Sequence, residues 1–362
     1  MTLSDSFATL RPSIDQATAT SLAHLLARTG ASGRSEEFSR AVLASVSGGK
    51  RFRALMAHVG YALSSGTSIE EVSLPHLSAA LELYQASALV HDDIIDKADE
   101  RRGMPTPHRT LADYHATQSW IGSSTDFGRH GAILVGDFLF SAATAAAGEQ
   151  ALTLRAFSHR FADMHAEVAL GQYLDITAEQ TPLDPERTDA LSTSDSLEVA
   201  LHKSAHYSVV HPALLGAICG ASSFDHVADL LDVLETILTP WGLAFQLRDD
   251  DLGVFGDPAV TGKPAGDDLR EGKRTALLAL TWEASSPTER RALTDVLGVA
   301  EASAEQIATA TEIVERNGRA AHEAEIARLV ADGDAALEAS TFDEDARAML
   351  RELCSILTAR RA

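Results

Sequence analysis

The chain has 362 residues, and its 52 acidic residues outnumber its 30 basic residues to give a net charge of −22. This charge repels the phosphate backbone of nucleic acids, so non-specific nucleic-acid binding is excluded. Aromatic residues make up only 6% of the chain, whereas alanine and leucine are abundant, which favours helices over sheets. The two cysteines, Cys219 and Cys354, lie in apolar helical segments and indicate no disulfide framework.

The N-terminus, MTLSDSFATL, lacks a basic start followed by an apolar core, so we expect no signal peptide. We also expect no membrane span, because no apolar run reaches the roughly 20 residues that one requires. These features predict a soluble cytoplasmic protein. We expect one all-α domain with an N-terminal helical arm at 1–34, a motif-bearing core at 45–280 and C-terminal helices at 281–362.

The most informative segment is QASALVHDDIIDKADERRGMPTPHR, residues 85–109. Asp92 and Asp96 are four residues apart and project from one face of a helix, where like charges repel unless a cation lies between them. Mg²⁺ prefers such oxygen ligands, and arginines such as Arg101 and Arg102 bind phosphate oxygens in a bidentate manner. The alternative is a solvated acidic face, but the residues that precede Asp92 are mostly apolar. We therefore favour a metal–diphosphate site.

The segment SVSGGKRFRALM places a glycine pair before Lys50 and Arg53, which lead into an apolar helix. Basic side chains and free backbone N–H groups at a helix N-terminus suit an anion. A solvated basic turn is the alternative.

A long helix is predicted from His76 to Ile95. Its periodicity places Tyr84 and Ala88 on the face of Asp92, which suggests a pocket that leads down from the metal and is lined by Ser87 and Ala88. Ordinary core packing explains these apolar positions equally well. Downstream, residues 120–130 are interpreted as a glycine- and serine-rich loop, followed by a helix at 131–147.

A second acidic cluster follows in WGLAFQLRDDDLGVFGDPAVTGKPAGDDLREGK, residues 241–273. A helix carries the acids, and a glycine-rich loop supplies lysines that could close over a phosphate. A charged surface loop would explain the charges but not the pairing of two acidic clusters.

With both clusters, the chain resembles the trans-isoprenyl diphosphate synthase, or polyprenyl synthetase, family. The resemblance covers residues 45–280 and rests on GGKRFR, DDIID with its trailing RR, GQYLD, KSAHYS and FQLRDDDLGVFGDPAVTGK. It implies a bundle of long antiparallel helices around a central cavity, and a Mg²⁺-dependent prenyltransferase that uses three Mg²⁺ ions per active site. Such an enzyme condenses isopentenyl diphosphate with an allylic diphosphate (dimethylallyl, geranyl or farnesyl) to make an all-trans polyprenyl diphosphate.

The family's residue roles are carried over by position. Mg²⁺ ligands would be Asp92, Asp96, Asp249 and Asp250, with Asp93 in support. Isopentenyl diphosphate would be bound by Lys50, Arg53, Gln85 and Arg102. The allylic diphosphate would be surrounded by Arg101, Gln172, Asp175, Lys203, Ser204, Gln246, Lys263 and Lys273. Of these, Asp92, Asp93, Asp96, Arg101, Lys203, Asp249 and Asp250 would be catalytic.

One position departs from the family pattern, because Gly253 replaces the last aspartate of the second motif. Asp251 is out of register to replace it directly. In the family, bulky aromatics four or five residues before the first aspartate stop growth at fifteen carbons, whereas here these positions are the small Ala88 and Ser87. With Tyr84 as the floor one turn deeper, we expect geranylgeranyl diphosphate, and farnesyl or longer products are the alternatives.

Two other functions were weighed. A class I terpene cyclase also uses an aspartate-rich motif, but it would have a different second motif and no GGKRFR site for a second diphosphate. A catalytically silent subunit of a heteromeric synthase would tend to lose the first-motif aspartates, which this chain retains. A catalytic homodimer is the favoured interpretation.

Overall fold

The computed structural model describes residues 2–30, 33–151, 155–222, 224–256, 266–299 and 301–358. Contacts divide the chain into two compact units. The first comprises Leu3–Phe161 and Leu215–Phe224, and the second comprises mainly Ala162–Leu214 and Asp225–Ala362. Each unit is described by itself, and the expectation of a single domain stays a prediction.

Helices dominate the described residues, so the predicted all-α class is confirmed. The helices are α1 (Leu3–Arg28), α2 (Glu36–Ser45), α3 (Phe52–Ser65), α4 (Pro75–Ile95), α5 (Pro107–Thr117), α6 (Ser124–Ala151), α7 (Arg155–Gln180), α8 (Thr193–Ala200), a π-helical segment (Leu201–Val210), α9 (His211–Gly220), α10 (Phe224–Phe255), α11 (Asp267–Glu271), α12 (Ala276–Ala284), α13 (Pro287–Thr294), α14 (Ala304–Asn317), α15 (Arg319–Ala339) and α16 (Glu344–Thr358). Short 3₁₀ turns lie at Gly33–Ser35, Ile69–Glu71 and Thr188–Ala190.

The core of the first unit is built around α4, which packs against α1, α3 and α6. Leu77 and Leu81 are fully buried on α4, which begins with a proline, a residue whose fixed φ suits the first helical turn. The backbones of α4 and α6 approach closely at Gly136, whose carbonyl oxygen accepts a 2.8 Å hydrogen bond from the Ser87 hydroxyl. A side chain at position 136 would collide with His91. The N-terminal helix, α1, thus packs within its own unit.

Helix α6 begins earlier than the sequence predicted. The segment 120–130 was interpreted as a loop, but α6 starts at Ser124, because the Ser123 hydroxyl accepts a hydrogen bond from the Asp126 N–H at 3.2 Å and caps the first turn. Residues 124–150 form one helix that is long and apolar enough to cross a membrane by length and composition alone. Core helices of soluble proteins pass the same test. Composition therefore does not exclude a membrane span, contrary to our expectation.

A short β-hairpin follows α4. Its two strands, of two residues each, are the strands found among the described residues. Strand β1 (Glu100–Arg101) pairs with strand β2 (Met104–Pro105) in antiparallel register. Arg102 and Gly103 at its tip both have positive φ, of 56° and 72°, which is the conformation that a tight two-residue hairpin turn requires. The turn folds the chain back towards the end of α4.

The second unit has its core around two tryptophans, Trp241 and Trp282, which are both fully buried. Helix α12 packs against α8, α14 and α15. Both indole N–H groups donate hydrogen bonds to backbone carbonyls. Trp241 donates to the carbonyl of Val330, and Trp282 donates to that of Arg187. Burial of such large rings without a hydrogen-bond partner would be costly.

Candidate active site

In the first unit, the structure brings the first aspartate motif and Arg101 together. The Arg101 Nε donates to Asp93 Oδ1 at 2.6 Å, and its Nη2 donates to Asp92 Oδ2 at 3.3 Å. Asp93 is buried, whereas Asp92 and Asp96 at the end of α4 are half-buried. The arrangement agrees with a supporting role for Asp93 and leaves Asp92 and Asp96 accessible to a cation.

Arg102 turns the other way, onto the glycine pair of GGKRFR. Its Nη1 donates to the Ser47 carbonyl at 3.0 Å, and a Cβ on Gly49 would lie 3.1 Å from Nη2. Gly49 also has a φ of 102°, so glycine is needed both for the turn and for the close approach. Burial, followed by the positive charges of Arg101 and Arg51, lowers the pKa of Arg102. The crowded cations would therefore be stabilised by an anion such as a diphosphate.

Sequence reasoning missed a buried ion pair beneath this segment. Arg51 lies in the left-handed region (φ 54°) and donates to Asp15 at 2.6 Å and to Glu82 at 3.4 Å. Glu82 also accepts a hydrogen bond from the Ala54 N–H at 3.3 Å. Burial raises the pKa of Glu82, while the charges of Arg51 and Arg53 oppose that effect. The pair fixes the start of α3, from which Arg53 projects.

A cavity of about 440 Å³ in this unit is lined by Asp93, Arg101 and Arg102 and by apolar residues such as Leu89 and Met104. It combines polar groups that suit a phosphate with walls that suit a hydrocarbon. Two other residues predicted to bind isopentenyl diphosphate lie in this unit. Lys50, which follows Gly49, is exposed, and Gln85 on α4 is half-buried.

In the second unit, the predicted residues on α7 and on the π-helical segment meet. The Lys203 ammonium donates to Asp175, which is buried. The two elements approach so closely that a Cβ on Gly171 would lie 2.4 Å from the Lys203 backbone nitrogen. The glycine of GQYLD is thus required by packing, since a backbone atom cannot move aside. Gln172, which follows Gly171, and Ser204, which follows Lys203, are both half-buried.

The second aspartate motif is more crowded than the first. Asp250 is buried and accepts a 2.8 Å hydrogen bond from the Gln246 amide. Burial, and then the negative charges of Asp268 and Asp249, raise the pKa of Asp250 to about 8. A buried carboxyl group with two half-buried acids close by fits a hard divalent cation such as Mg²⁺, which would offset both the burial and the repulsion.

The structure gives a reason for Gly253 at the last position of the second motif. A Cβ at Gly253 would lie 2.0 Å from the Asp268 Oδ2 atom, so the carboxylate of Asp268 fills the space beside position 253. Asp251 instead pairs with Arg319, at 3.1 Å from its Nε. Asp268 was not assigned a role from sequence, because its approach to Gly253 depends on the chain between them.

The lysines of the second motif are partly placed. Lys273 Nζ lies 2.5 Å from Glu271 and 3.7 Å from Asp268. Lys263 lies outside the described residues. All the substrate and metal assignments above stay predictions.

The chain-length residues lie on α4, facing α6. Tyr84 is buried, and its ring meets that of Phe140 edge-to-face at a centroid distance of 5.9 Å. Ala88 is half-buried, whereas Ser87 is buried against α6 through its hydrogen bond to Gly136. Phe140, which is 39% exposed, is a second aromatic that contacts Tyr84 from α6, and the sequence pattern of α4 alone could not have revealed it.

The chain is similar to known proteins that are all named as polyprenyl diphosphate synthases. Residues 35–314 match the family model described as polyprenyl synthetase. Geranylgeranyl diphosphate synthase of Mycobacterium tuberculosis is 30% identical over 315 residues, covering 85% of this chain and 80% of that protein. Geranylfarnesyl diphosphate synthase of Aeropyrum pernix is 31% identical over 280 residues, covering 75% of this chain and 77% of that protein. A crystal structure of geranylgeranyl pyrophosphate synthase from Corynebacterium glutamicum, complexed with isoprenyl diphosphate and magnesium, superposes with a TM-score of 0.84 at 35% identity over 100% of both chains.

Proposed function

Because the chain belongs to the polyprenyl synthetase family, we propose that this trans-prenyltransferase condenses isopentenyl diphosphate with an allylic diphosphate to make geranylgeranyl diphosphate, using Mg²⁺. The relatives named above include synthases of two different chain lengths. Product length therefore has to be argued from the residues of this chain.

One observation carries the proposal. Adjacent residues of one hairpin, Arg101 and Arg102, face two different groups, the aspartates of α4 and the glycine pair before α3. This geometry supports two neighbouring diphosphate sites, one at the acids for the allylic substrate and one at the basic segment for isopentenyl diphosphate. A cyclase, which uses one diphosphate, has no need for the second.

The side chains then act mainly by electrostatics and positioning. Bound Mg²⁺ would supply charge stabilisation to the departing diphosphate of the allylic substrate. Arg101 would donate to the oxygens of the same diphosphate, which weakens the allylic C–O bond. Arg53 and Arg102 would hold isopentenyl diphosphate so that its double bond attacks the allylic carbocation, and the released pyrophosphate would accept the proton that is lost. No protein nucleophile is required.

The test is to incubate the protein with Mg²⁺, isopentenyl diphosphate and, in separate reactions, dimethylallyl, geranyl and farnesyl diphosphates. We expect one linear twenty-carbon diphosphate by mass spectrometry. Longer linear products would support the synthase activity but refute the proposed product length of twenty carbons. A cyclised hydrocarbon, or no product with any substrate, would refute the proposed activity.

For product length, we propose that the Tyr84–Phe140 pair closes the pocket about one helical turn below Ala88, a depth of ~5.4 Å. Tyr84→Ala and Phe140→Ala should each lengthen the product by one or more five-carbon units. Phe138→Ala is the matched control, because Phe138 lies on the same helix but packs edge-to-face on Phe38 at 5.8 Å. An unchanged product from both variants would place the floor elsewhere.

We also propose a homodimer, supported by the apolar surface of α6. Ile133 and Leu134 are 43% and 58% exposed, which is costly unless a partner covers them. Light scattering should give the mass of two chains, and Leu134→Glu should give that of one. A monomeric wild-type protein would contradict the proposal.

A further inference from the structure

A cluster of one carboxylate and three imidazoles in the second unit has no part in the proposed reaction. Glu167 on α7 places its Oε1 at 2.6 Å from His202 Nδ1 and at 2.5 Å from His206 Nδ1. Its other oxygen, Oε2, lies 2.6 Å from His211 Nε2. Three imidazoles thus converge on a single carboxylate, two of them on the same oxygen atom.

The geometry of three of these groups suits a metal ion. The candidate ligand atoms of Glu167, His202 and His206 all lie within 4.8 Å of one another. The two histidines project from the same side of the π-helical segment, with ring planes at 87°. Local π-helical geometry is frequent at functional sites. The side chains are 18%, 25% and 16% exposed, so an ion from solvent can reach them.

We propose that Glu167, His202 and His206 bind a divalent first-row transition-metal ion of the zinc type through one carboxylate oxygen and two Nδ1 atoms. Imidazole nitrogen with carboxylate oxygen is the ligand set of Zn²⁺ and of its neighbours Co²⁺ and Ni²⁺. It differs from the all-oxygen aspartate motifs, which suit Mg²⁺. The proposed ligands are not among the residues assigned to the diphosphates, although His202 directly precedes Lys203 in the sequence.

His211 completes the site by orienting Glu167. Its side chain is only 6% exposed, and its Nδ1 is buried with no hydrogen-bond partner among the described residues. A proton on that nitrogen would be left unsatisfied, which favours the tautomer whose Nε2–H donates to Glu167. Such hydrogen bonds to a ligating carboxylate are a regular feature of metal sites.

Two hydrogen bonds of the cluster converge on one oxygen atom, because the Nδ1 atoms of His202 and His206 lie 2.6 Å and 2.5 Å from Glu167 Oε1. A metal ion would replace the two imidazole N–H protons that share this oxygen.

The experiment uses full-length protein without a histidine tag, stripped with EDTA and then dialysed against Zn²⁺ or Co²⁺. An excess of Mg²⁺ is kept present to occupy the aspartate motifs. We expect about one tightly bound Zn²⁺ or Co²⁺ per chain by elemental analysis, with a visible Co²⁺ absorption that reports nitrogen ligands. Wild-type protein that retains no transition metal under these conditions would overturn the proposal.

Variants locate the ion. Glu167→Gln and His206→Gln should abolish retention, and His211→Asn should weaken affinity by about 10–100-fold. His159→Ala is the matched control, because His159 is exposed on the same helix, α7, and outside the cluster. Retention by both ligand variants at the wild-type level would overturn the assignment.

Should a variant misfold, the wild-type protein provides the same information. Bound Zn²⁺ should shield His202 and His206, but not His159, from modification by diethyl pyrocarbonate, as mapped by mass spectrometry. Equal modification with and without Zn²⁺ would show that the three imidazoles merely hydrogen-bond the carboxylate.

Discussion

The two aspartate motifs differ in how their negative charge is compensated. In the first, Arg101 bridges Asp92 and Asp93. In the second, Asp250 is buried beside other acids, its pKa is raised to about 8, and the hydrogen bond it accepts comes from the neutral Gln246 amide. Lys273 lies closer to Glu271 than to Asp268. One motif thus carries its cation as a side chain, whereas the other holds a proton.

This difference indicates how each motif would respond to metal and substrate. In the first, Asp92 and Asp96 would hold a Mg²⁺ ion, and Arg101 would donate to the diphosphate. In the second, an ion held by Asp250 would replace the proton that the raised pKa of this carboxyl group favours, so metal binding there would be coupled to pH.

The largest expected effect is in the first motif. Asp92→Ala should lower turnover by about three orders of magnitude, because it removes several kcal/mol of stabilisation of the departing diphosphate. Asp113→Ala, an exposed acid on α5, is the control. Steady-state kinetics measure the effect, and circular dichroism shows that the fold is intact. Near-normal turnover of the Asp92 variant would mean that this motif does not hold the catalytic metal.

A smaller effect is expected at Asp268, whose carboxylate lies where the family's last aspartate of the second motif would be. Asp268→Ala should reduce turnover and Mg²⁺ affinity by about 10–100-fold, and Asp267→Ala should have less effect. Gly253→Asp alone should be harmful, since its Cβ would meet Asp268.

The double variant Gly253→Asp/Asp268→Ala sharpens this test. It moves the carboxylate to the family's usual position and removes the clash, so it should recover turnover relative to either single variant. If the double variant is no better than the worse single one, Asp268 does not substitute for the missing aspartate.

The smallest effect is on stability. Folding raises the pKa of Asp250 from the 3.8 of an unperturbed aspartate to about 8, so the folded chain binds more protons than the unfolded chain between these values. The free energy of unfolding of metal-free protein should therefore fall as pH rises through this range, by on the order of a few kcal/mol.

Denaturant unfolding in EDTA at pH 5 and pH 9 measures this dependence. Asp250→Asn cannot ionise and should show a weaker fall, and Mg²⁺ should recover wild-type stability most at pH 9. Identical pH profiles for the two proteins would indicate that Asp250 is ionised in the folded state.

Local patterns were enough to predict part of the site. The spacing in QASALVHDDIID sets α4 and places Asp92 and Asp96 together, and the glycine pair before Lys50 marks the turn on which Arg102 lies. The remaining features depend on contacts between distant segments. Asp268 meets Gly253 only after the chain turns back, Phe140 reaches Tyr84 from another helix, and Glu167 is 35 residues from His202. No periodicity within one helix encodes such contacts.

The hairpin at Glu100–Pro105 also constrains how this chain can change its length. Surface turns usually tolerate insertions and deletions, and this one has only Arg102 and Gly103 between its strands. Because Arg101 ends one strand and Arg102 lies in the turn, a residue inserted between them would move Arg102 away from Ser47 while Arg101 kept its contacts with the aspartates. Natural variation in this family should therefore accumulate substitutions here without altering the number of residues.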